Sequence, residues 1–552
     1  MKQKLKIGLL VNSNYVSAWE YVMLERIRKS SYAQIDLIIE NNVEAPKHSL
    51  FQKIKIHFKH LLFLMFSMIE NKLVKVSPDA FVKKSIDKLC NEATIIKVVP
   101  EQTKFIDRIC SDDIEKIKKY NIDVFIRLGF RILKGDILKI AKSGVWSYHH
   151  GDNDVNRGRP PGMWEFLEKW DTTGMILQIL TEDLDDGKIL YKSHSATNTN
   201  SWKKNKNGYY WKGVSLLPRK LKELHMLGNE AFFQKVYKDN KELKFYFNRL
   251  YKYPKRTELI WILVQRYLSI AKNKVVNLFY YDQWILLYKF NKKGGPSKTI
   301  YQFKKIIPPK DKFWADPFVI KEDGEYYIFF EEYLYKTKKG HLSVLKIDKK
   351  GNYTEPEIIL KKDYHLSYPF VFKEGGAFYM IPETRGNNTI ELYKCIEFPN
   401  KWELEKVLMK DIQAVDATIL KKDNQYWMFV NMRDHQGVST VDELFLFSSK
   451  ELVSEQWEPH PQNPVISDVR YSRSAGKIFE YNGELYRPSQ NNAKQYGHAM
   501  NMNKIVTLNK ESYKEEVVSN VFPNWEKNVK ATHTLNFDEN LTIMDALMRR
   551  RK

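Results

Sequence analysis

Cysteine is nearly missing from this chain. Its 552 residues include three, Cys90, Cys110 and Cys395, far apart and in no C-x-x-C pair. That excludes a disulfide scaffold and a cysteine-ligated zinc site, and fits a reducing compartment. Long apolar runs are missing as well. The longest, Leu61–Met68 and Leu259–Val264, fall well short of the roughly 18–20 residues that span a bilayer. The first apolar run ends at Asn12, Ser13 and Asn14 with no small-residue cleavage site, so export is not expected. The expected location is cytoplasmic, at most peripheral at the inner membrane face. Acidic charge is in deficit, 67 Asp and Glu against 90 Lys and Arg, for a net charge of +23. The excess favours anionic partners, but the lysines are spread rather than blocked, which equally suits a solvated surface; no nucleic-acid partner is expected.

Hydrophobic residues are 43% and aromatics 14%, enough for sizeable cores. The length predicts two to four domains at roughly 100–200 residues each. Residues 1–235 alternate short apolar runs with segments of helical spacing. Lys6–Val11, Ile35–Ile39, Thr94–Val99, Ile122–Ile126, Val145–Tyr148 and Met175–Leu180 read as strands, and Ala18–Ile27 as a helix. This predicts an α/β, Rossmann-like domain with a mostly parallel sheet. A basic amphipathic stretch, about 41–88, reads as a helical insertion. Residues 236–280 mix Lys and Arg with aromatics, and read either as a helical connector or as a segment lying on an anionic membrane surface.

From 281 to 552 the pattern changes to an internal repeat. Asp316-Pro317-Phe318-Val319 is followed by Asp323-Gly324 and Tyr326-Tyr327-Ile328-Phe329. The same order returns from Tyr368 with Gly375-Gly376, from Asp416 with Asp423-Asn424, from Ala475 with Asn482-Gly483, and more weakly from Thr532 with Glu539-Asn540. Each unit is a strand, a turn suited to positive φ, and an aromatic strand. Spacings of 52, 48, 59 and 57 residues between positions 316, 368, 416, 475 and 532 predict an all-β five-bladed propeller.

One segment of the first domain concentrates chemistry: Ser147-Tyr148-His149-His150-Gly151-Asp152, then Arg157-Gly158-Arg159-Pro160-Pro161-Gly162-Met163-Trp164, Thr173-Gly174 and Leu184-Asp185-Asp186-Gly187. A histidine just past a strand sits where open α/β sheets bind ligands. An Asp–His pair such as Asp185 with His149 is general-base chemistry. Adjacent histidines as metal ligands are disfavoured, because strand neighbours point to opposite faces. A structural histidine pair stays open.

This pattern, over about residues 1–225, resembles the formyltransferase family of methionyl-tRNA formyltransferase and the sugar N-formyltransferases. His149, Arg157-Gly158-x-x-Pro161-x-x-Trp164 and Leu184-Asp185-Asp186-Gly187 fall at the family's spacing. The resemblance implies a 10-formyltetrahydrofolate cofactor, formyl transfer to an amine, and promotion of amine attack by His149 and Asp185. It also implies cofactor contacts from Arg127, Gly129, Phe130 and Asp185, and substrate contacts from Arg157 and Trp164. Ser147 replaces the family asparagine whose amide stabilises the oxyanion, and Gly151-Asp152-Asn153-Asp154 replaces its Ser-Leu-Leu-Pro.

The repeat region resembles the propellers of family 43 glycosidases and the N-terminal domain of the plant glucosamine inositolphosphorylceramide transferases. Glycoside hydrolysis needs two carboxyl groups flanking the bond. Candidates are Asp316, Asp416, Glu331, Glu332 and Glu383, but Tyr368 stands where the family's second-blade Asp would be. Asp316, Tyr368, Asp416 and Glu383 are therefore expected to bind a sugar, with Trp314 and Tyr368 available for stacking. No metal is expected. Taken together, the sequence points to a formyltransferase-like enzyme acting on an amino sugar or nucleotide-linked sugar. The alternatives are a propeller hydrolase or glycosyl-transfer enzyme with an accessory first domain, and a non-catalytic glycan-binding protein.

Overall fold

The computed structural model describes residues 2–43, 50–183, 187–292 and 294–552, with the backbone alone over 50–59. Apart from the short stretch Gln436–Val438, the chain divides into two compact units between Gln265 and Arg266.

The first unit is built on β1 (Leu5–Val11), α1 (Ala18–Arg28), β2 (Ala33–Asn41), α2 (Leu50–Leu73), β3 (Thr94–Val98), β4 (Val124–Arg127), β5 (Val145–His149), α3 (Met163–Leu167), β6 (Thr172–Ile179), β7 (Lys188–Ala196) and α4 (Trp202–Gly213). Its seven-stranded sheet runs β7-β6-β5-β4-β1-β2-β3. The pairs from β5 to β3 are parallel and the last two, β5–β6 and β6–β7, are antiparallel. The expected parallel sheet thus holds for five strands, while the run around Met175–Leu177 returns as a hairpin-type neighbour of β5. Strands that read as continuous Ile, Leu and Val are buried on both faces, as parallel strands are. Ile7, Leu9, Val124, Ile126 and Trp146 pack on α1 through Trp19, Met23 and Ile27. Glu20 fixes the start of α1 by accepting the Ser17 backbone N–H at 2.6 Å, a capping interaction.

The helix α5 (Arg256–Phe279) crosses the boundary, and the second unit continues after it as five antiparallel sheets. The first four begin with Lys312–Glu322, Ser367–Glu374, Ala414–Lys422 and Phe479–Tyr481, and each has four strands in sequence order. The fifth joins the unit's two ends: Tyr280–Phe290 pairs along its whole length with Leu541–Arg551. The sequence repeat did not reveal this closure, because Tyr280–Phe290 has no repeat signature of its own. The two-residue hairpin turns carry positive φ at both positions, as at Asp323 (48°) and Gly324 (82°) and at Asn482 (53°) and Gly483 (78°). That backbone matches the twist of the flanking strands and selects Gly, Asn and Asp. In the fourth repeat the expected strand from Ser474 is reduced to Phe479–Tyr481. Gly476, at φ 135°, adopts a conformation that breaks the strand there.

Candidate functional site

In the first unit, the carboxyl ends of β1, β4 and β5 bring together Asn12, Arg127–Phe130 and Ser147–His150. Phe130 has φ 62° and donates its N–H to Asn12 Oδ1 at 2.7 Å. Its ring is buried in the core. A Cβ on Gly129 would lie 2.5 Å from the Asn12 backbone nitrogen, so only glycine lets these loops approach so closely. Arg127 is held rigidly: it donates to the Phe130 and Arg131 carbonyls and, through Nη1, to Ser147 Oγ at 3.1 Å. Burial lowers its pKa.

His149 bonds through Nε2 to the Asn156 carbonyl at 3.0 Å. The carbonyl can only accept, so Nε2 carries the proton and the lone pair of the neutral ring is on Nδ1. His150 turns the other way, into an aromatic nest. It stacks on Tyr210 at 4.1 Å and meets the edge of Trp19 at 5.8 Å. Burial drives its pKa down to about 3, so it stays neutral and is a packing residue. Asp185 lies outside the described residues. Arg157 donates to the Asn153 carbonyl at 2.9 Å and lies 4.5 Å over the Tyr246 ring. Trp164, expected to meet substrate, is buried, with Nε1 donating to the Lys252 carbonyl at 2.8 Å. Its role here is to anchor the 251–253 segment.

Two groups escaped the sequence reading. Asp152 accepts His194 Nε2 at 2.9 Å and Lys192 Nζ at 2.5 Å. Burial pushes its carboxyl up, but these bonds outweigh burial and hold it well below the usual range. Glu165 is buried and burial raises its pKa to about 7. One oxygen accepts Asn156 Nδ2 at 3.1 Å, and the other has no partner among the described residues. Both carboxylates line a cavity of about 120 Å³ with Thr172 and Gly174. The only sequence signal was the replaced Gly151-Asp152-Asn153-Asp154 loop; Lys192 and His194 lie two apart on β7, with nothing local to link them to Asp152.

In the second unit, a bulge recurs in the first strand of three successive sheets. Ala315 pairs Glu331 and Phe318 pairs Phe329, so Asp316 and Pro317 face one residue. The same count holds at Tyr368-Pro369 and at Asp416-Ala417. The first residue of each bulge is left-handed: Asp316 at φ 50°, Tyr368 at 46° and Asp416 at 53°. Such strain in non-glycine residues costs on the order of 1–3 kcal/mol and persists where the surroundings enforce it, commonly at functional sites. Opposite the residue before each bulge stand Glu331, Glu383 and Asn431. Each is seven residues past its turn, and Gln490 holds the same place in the fourth repeat.

These positions form one buried polar cluster. Arg473 grips Asp416 with Nε at 2.5 Å and Nη2 at 3.1 Å, and lies 3.5 Å from Glu383. Gln490 donates to Asp416 at 3.3 Å. Asp316 accepts Thr534 Oγ1 at 2.8 Å. His533, stacked on Trp284 at 4.1 Å, bonds Asp545 at 2.6 Å. Burial opposes charge on His533, but Asp545 and Asp316 outweigh it and raise its pKa. Asp316, His533 and Asp545 have ligand-type atoms within 4.8 Å of one another. Asp545 also accepts the Asp316, His533 and Thr534 backbone N–H groups, which fix its position. Burial, then the charges of Asp416 and Asp316, raise Glu383 to about 8. Burial raises Asp316 to about 6, with His533 opposing. Glu331 is raised by burial and by its acidic neighbours. Burial and its acidic neighbours thus favour the protonated form of Glu383, the kind of environmental tuning that acid–base sites use. Glu383 opens on a 350 Å³ cleft lined by His365, Arg385, Gly386, Asn388 and Gln413.

Three expectations change. Tyr368 is fully buried and its hydroxyl meets Thr418 Oγ1 and the Gly476 N–H, so its ring holds sheets together and is not open to a sugar. Trp314 is buried with Nε1 on Glu332. Glu332 is committed to Trp314, His341 and Lys312. Arg473 was missed because it precedes its repeat unit, and His533 and Asp545 because they lie in the weakest, fifth unit, off the position that repeats.

The raised pKa of Glu383 gives a pH prediction. Its folded value of about 8 lies above the ordinary 4.5, so the folded state binds the proton more tightly and stability falls as pH rises between those values. Glu383→Gln is expected to flatten that fall, unfolding at higher denaturant than wild type at pH 9 and with no advantage near pH 4.5. Parallel curves at both pH values would contradict the assignment.

The family model described as the N-terminal region of glucosamine inositolphosphorylceramide transferase 1 matches residues 302–541. Glucosamine inositolphosphorylceramide transferase 1 of Arabidopsis thaliana is 35% identical over 206 residues, 37% of this chain and 27% of its own length. Methionyl-tRNA formyltransferase of Prochlorococcus marinus is 31% identical over 118 residues, 21% of this chain and 32% of its own. A family 43 β-xylosidase/α-arabinofuranosidase from a compost microbial metagenome superposes with a TM-score of 0.30 at 13% identity, over 42% of this chain and 91% of its own. The chain therefore spans about a quarter to a third of the length of the curated relatives it matches.

Proposed function

We propose that the protein is a sugar-modifying transferase whose second unit, a five-bladed propeller, binds carbohydrate at the polar cluster around Asp316, Glu383 and Asp416. The observation that carries this reading is the bulge repeated in three successive sheets, which holds Asp316 and Asp416 in left-handed backbone within a buried polar cluster whose member Glu383 lines a cleft. Sugar hydroxyls both donate and accept, and a cluster with protonated and ionised carboxyl groups offers both partners. The relative named glucosamine inositolphosphorylceramide transferase 1 supports a carbohydrate ligand.

The finer reading is formyl transfer to an amino sugar in the first unit. It is supported by the His149, Arg157-Gly158 and Pro161 pattern and by the formyltransferase relative. Arg127, which donates through Nη1 to Ser147 Oγ, is the candidate to stabilise a carbonyl oxygen that gains charge, and His149 the candidate base for an attacking amine. Arg127, Gly129 and Phe130 lie along the edge where 10-formyltetrahydrofolate would sit. When bound, it supplies a formyl carbon activated for transfer to nitrogen.

Asp316→Asn tests the propeller's part. If the cluster only binds, the amide still hydrogen-bonds and glycan affinity falls modestly, by about threefold to tenfold. The expected result is that modest loss, with no release of reducing sugar from wild type. Sugar release by wild type that Asp316→Asn abolishes would overturn the binding assignment in favour of hydrolysis.

A further inference from the structure

Helices α2 and α5 each carry two apolar stripes. One faces inward: Phe63, Phe66, Leu259 and Leu263 pack with Trp164 and Tyr251 in a shared cluster. The other faces water at the same spacing in both helices, Leu61, Met65, Met68 and Ile69 in α2, and Ile260, Val264, Tyr267 and Leu268 in α5. An amphipathic helix needs one such stripe for its own core; the second has no partner among the described residues. The segment between the helices repeats this in extended form. Tyr246 turns inward under Arg157, while Leu243, Phe245 and Phe247 turn outward, Phe247 at 87% exposure, as does Trp261 on α5 at 65%. Monomeric soluble surfaces do not leave so many large apolar groups together without use.

The charge around the stripe selects what covers it. Between Lys241 and Phe279 there are nine Lys or Arg and two Glu, and Lys241, Lys252 and Lys255 are exposed. A second copy of the chain would bring the same positive charge against itself. Aromatic and aliphatic groups rimmed by lysine match instead the boundary between acyl chains and acidic headgroups. No helix among the described residues is long and apolar enough to cross a membrane, so these helices would lie along it. We infer that this face, formed by α2, the segment 241–253 and α5, docks on an anionic lipid bilayer. The helix α3 and Trp164 pack in the same cluster, so docking would bring α3 near the lipid surface. The inference does not depend on the reaction proposed above.

Flotation of the full chain with phosphatidylcholine vesicles, with and without phosphatidylserine, tests it. Binding is expected only with phosphatidylserine and weaker at high salt. Phe247→Ser with Trp261→Ser, and separately Lys241→Glu with Lys255→Glu, are expected to lower the partition by about tenfold or more. All four residues are exposed, so folding should be unaffected, and an unchanged circular dichroism spectrum checks this. Failure of wild type to float with phosphatidylserine vesicles would overturn the inference, as would variants that float equally well. A wild-type dimer that Phe247→Ser with Trp261→Ser dissociates, without vesicle binding, would assign the face to a second copy.

Discussion

Arg473→Met is expected to destabilise the second unit by about 3–5 kcal/mol, the usual cost of leaving a buried charge without its partner. The guanidinium is buried and pairs Asp416 through two bonds while lying near Glu383. Removing it leaves Asp416, Glu383, Glu331 and Asp316 facing one another with His533 as the remaining cation of the cluster. The full chain would then lose its second-unit unfolding transition at lower denaturant while the first unit's transition stays in place. Asp416→Asn in the same background removes the unpaired charge and should recover part of the loss. Equal stability of Arg473→Met and wild type would mean that the pair is not formed.

The second large effect concerns His149. His149→Ala is expected to lower formyl transfer to the amino-sugar acceptor by about 10²–10⁴-fold in kcat, the range for loss of a general base, with KM nearly unchanged. The bond from Nε2 to the Asn156 carbonyl fixes the orientation of the ring. A fall in KM alone, or full activity, would move the chemistry elsewhere. Ser147→Asn should keep or raise activity if Arg127 Nη1, now on Ser147 Oγ, can serve either side chain.

What the sequence reveals of this protein follows the reach of its local patterns. The strand and turn repeat was legible because each unit spells out its own hairpin, and Asp323-Gly324 and Asn482-Gly483 adopt the expected left-handed turns. The closing pair of Tyr280–Phe290 with Leu541–Arg551 was not, since partners some 250 residues apart leave no local trace. Glu331 and Glu383 could be named as carboxyl groups near the ends of their repeat strands; Asn431 and Gln490 stand at the same distance past their turns but carry no charge to draw attention. Tyr368 looked like a platform for a sugar because its position in the repeat matches Asp316. Only packing shows that its hydroxyl is spent on Thr418 and Gly476. In the first unit, the motif around His149 placed the sheet edge, whereas the bond from Asp152 to His194 on β7 required the fold.

The most direct test of the account is to incubate the full chain with formyl-labelled 10-formyltetrahydrofolate and a panel of amino sugars, free and nucleotide-linked, and to identify the labelled product by mass spectrometry. The account predicts one acceptor that gains a formyl group as a stable amide, with transfer lost in His149→Ala and weakened in Asp316→Asn. Label that stays on the folate with every acceptor, while the same sugars bind the chain, would contradict formyl transfer and leave a carbohydrate-binding protein.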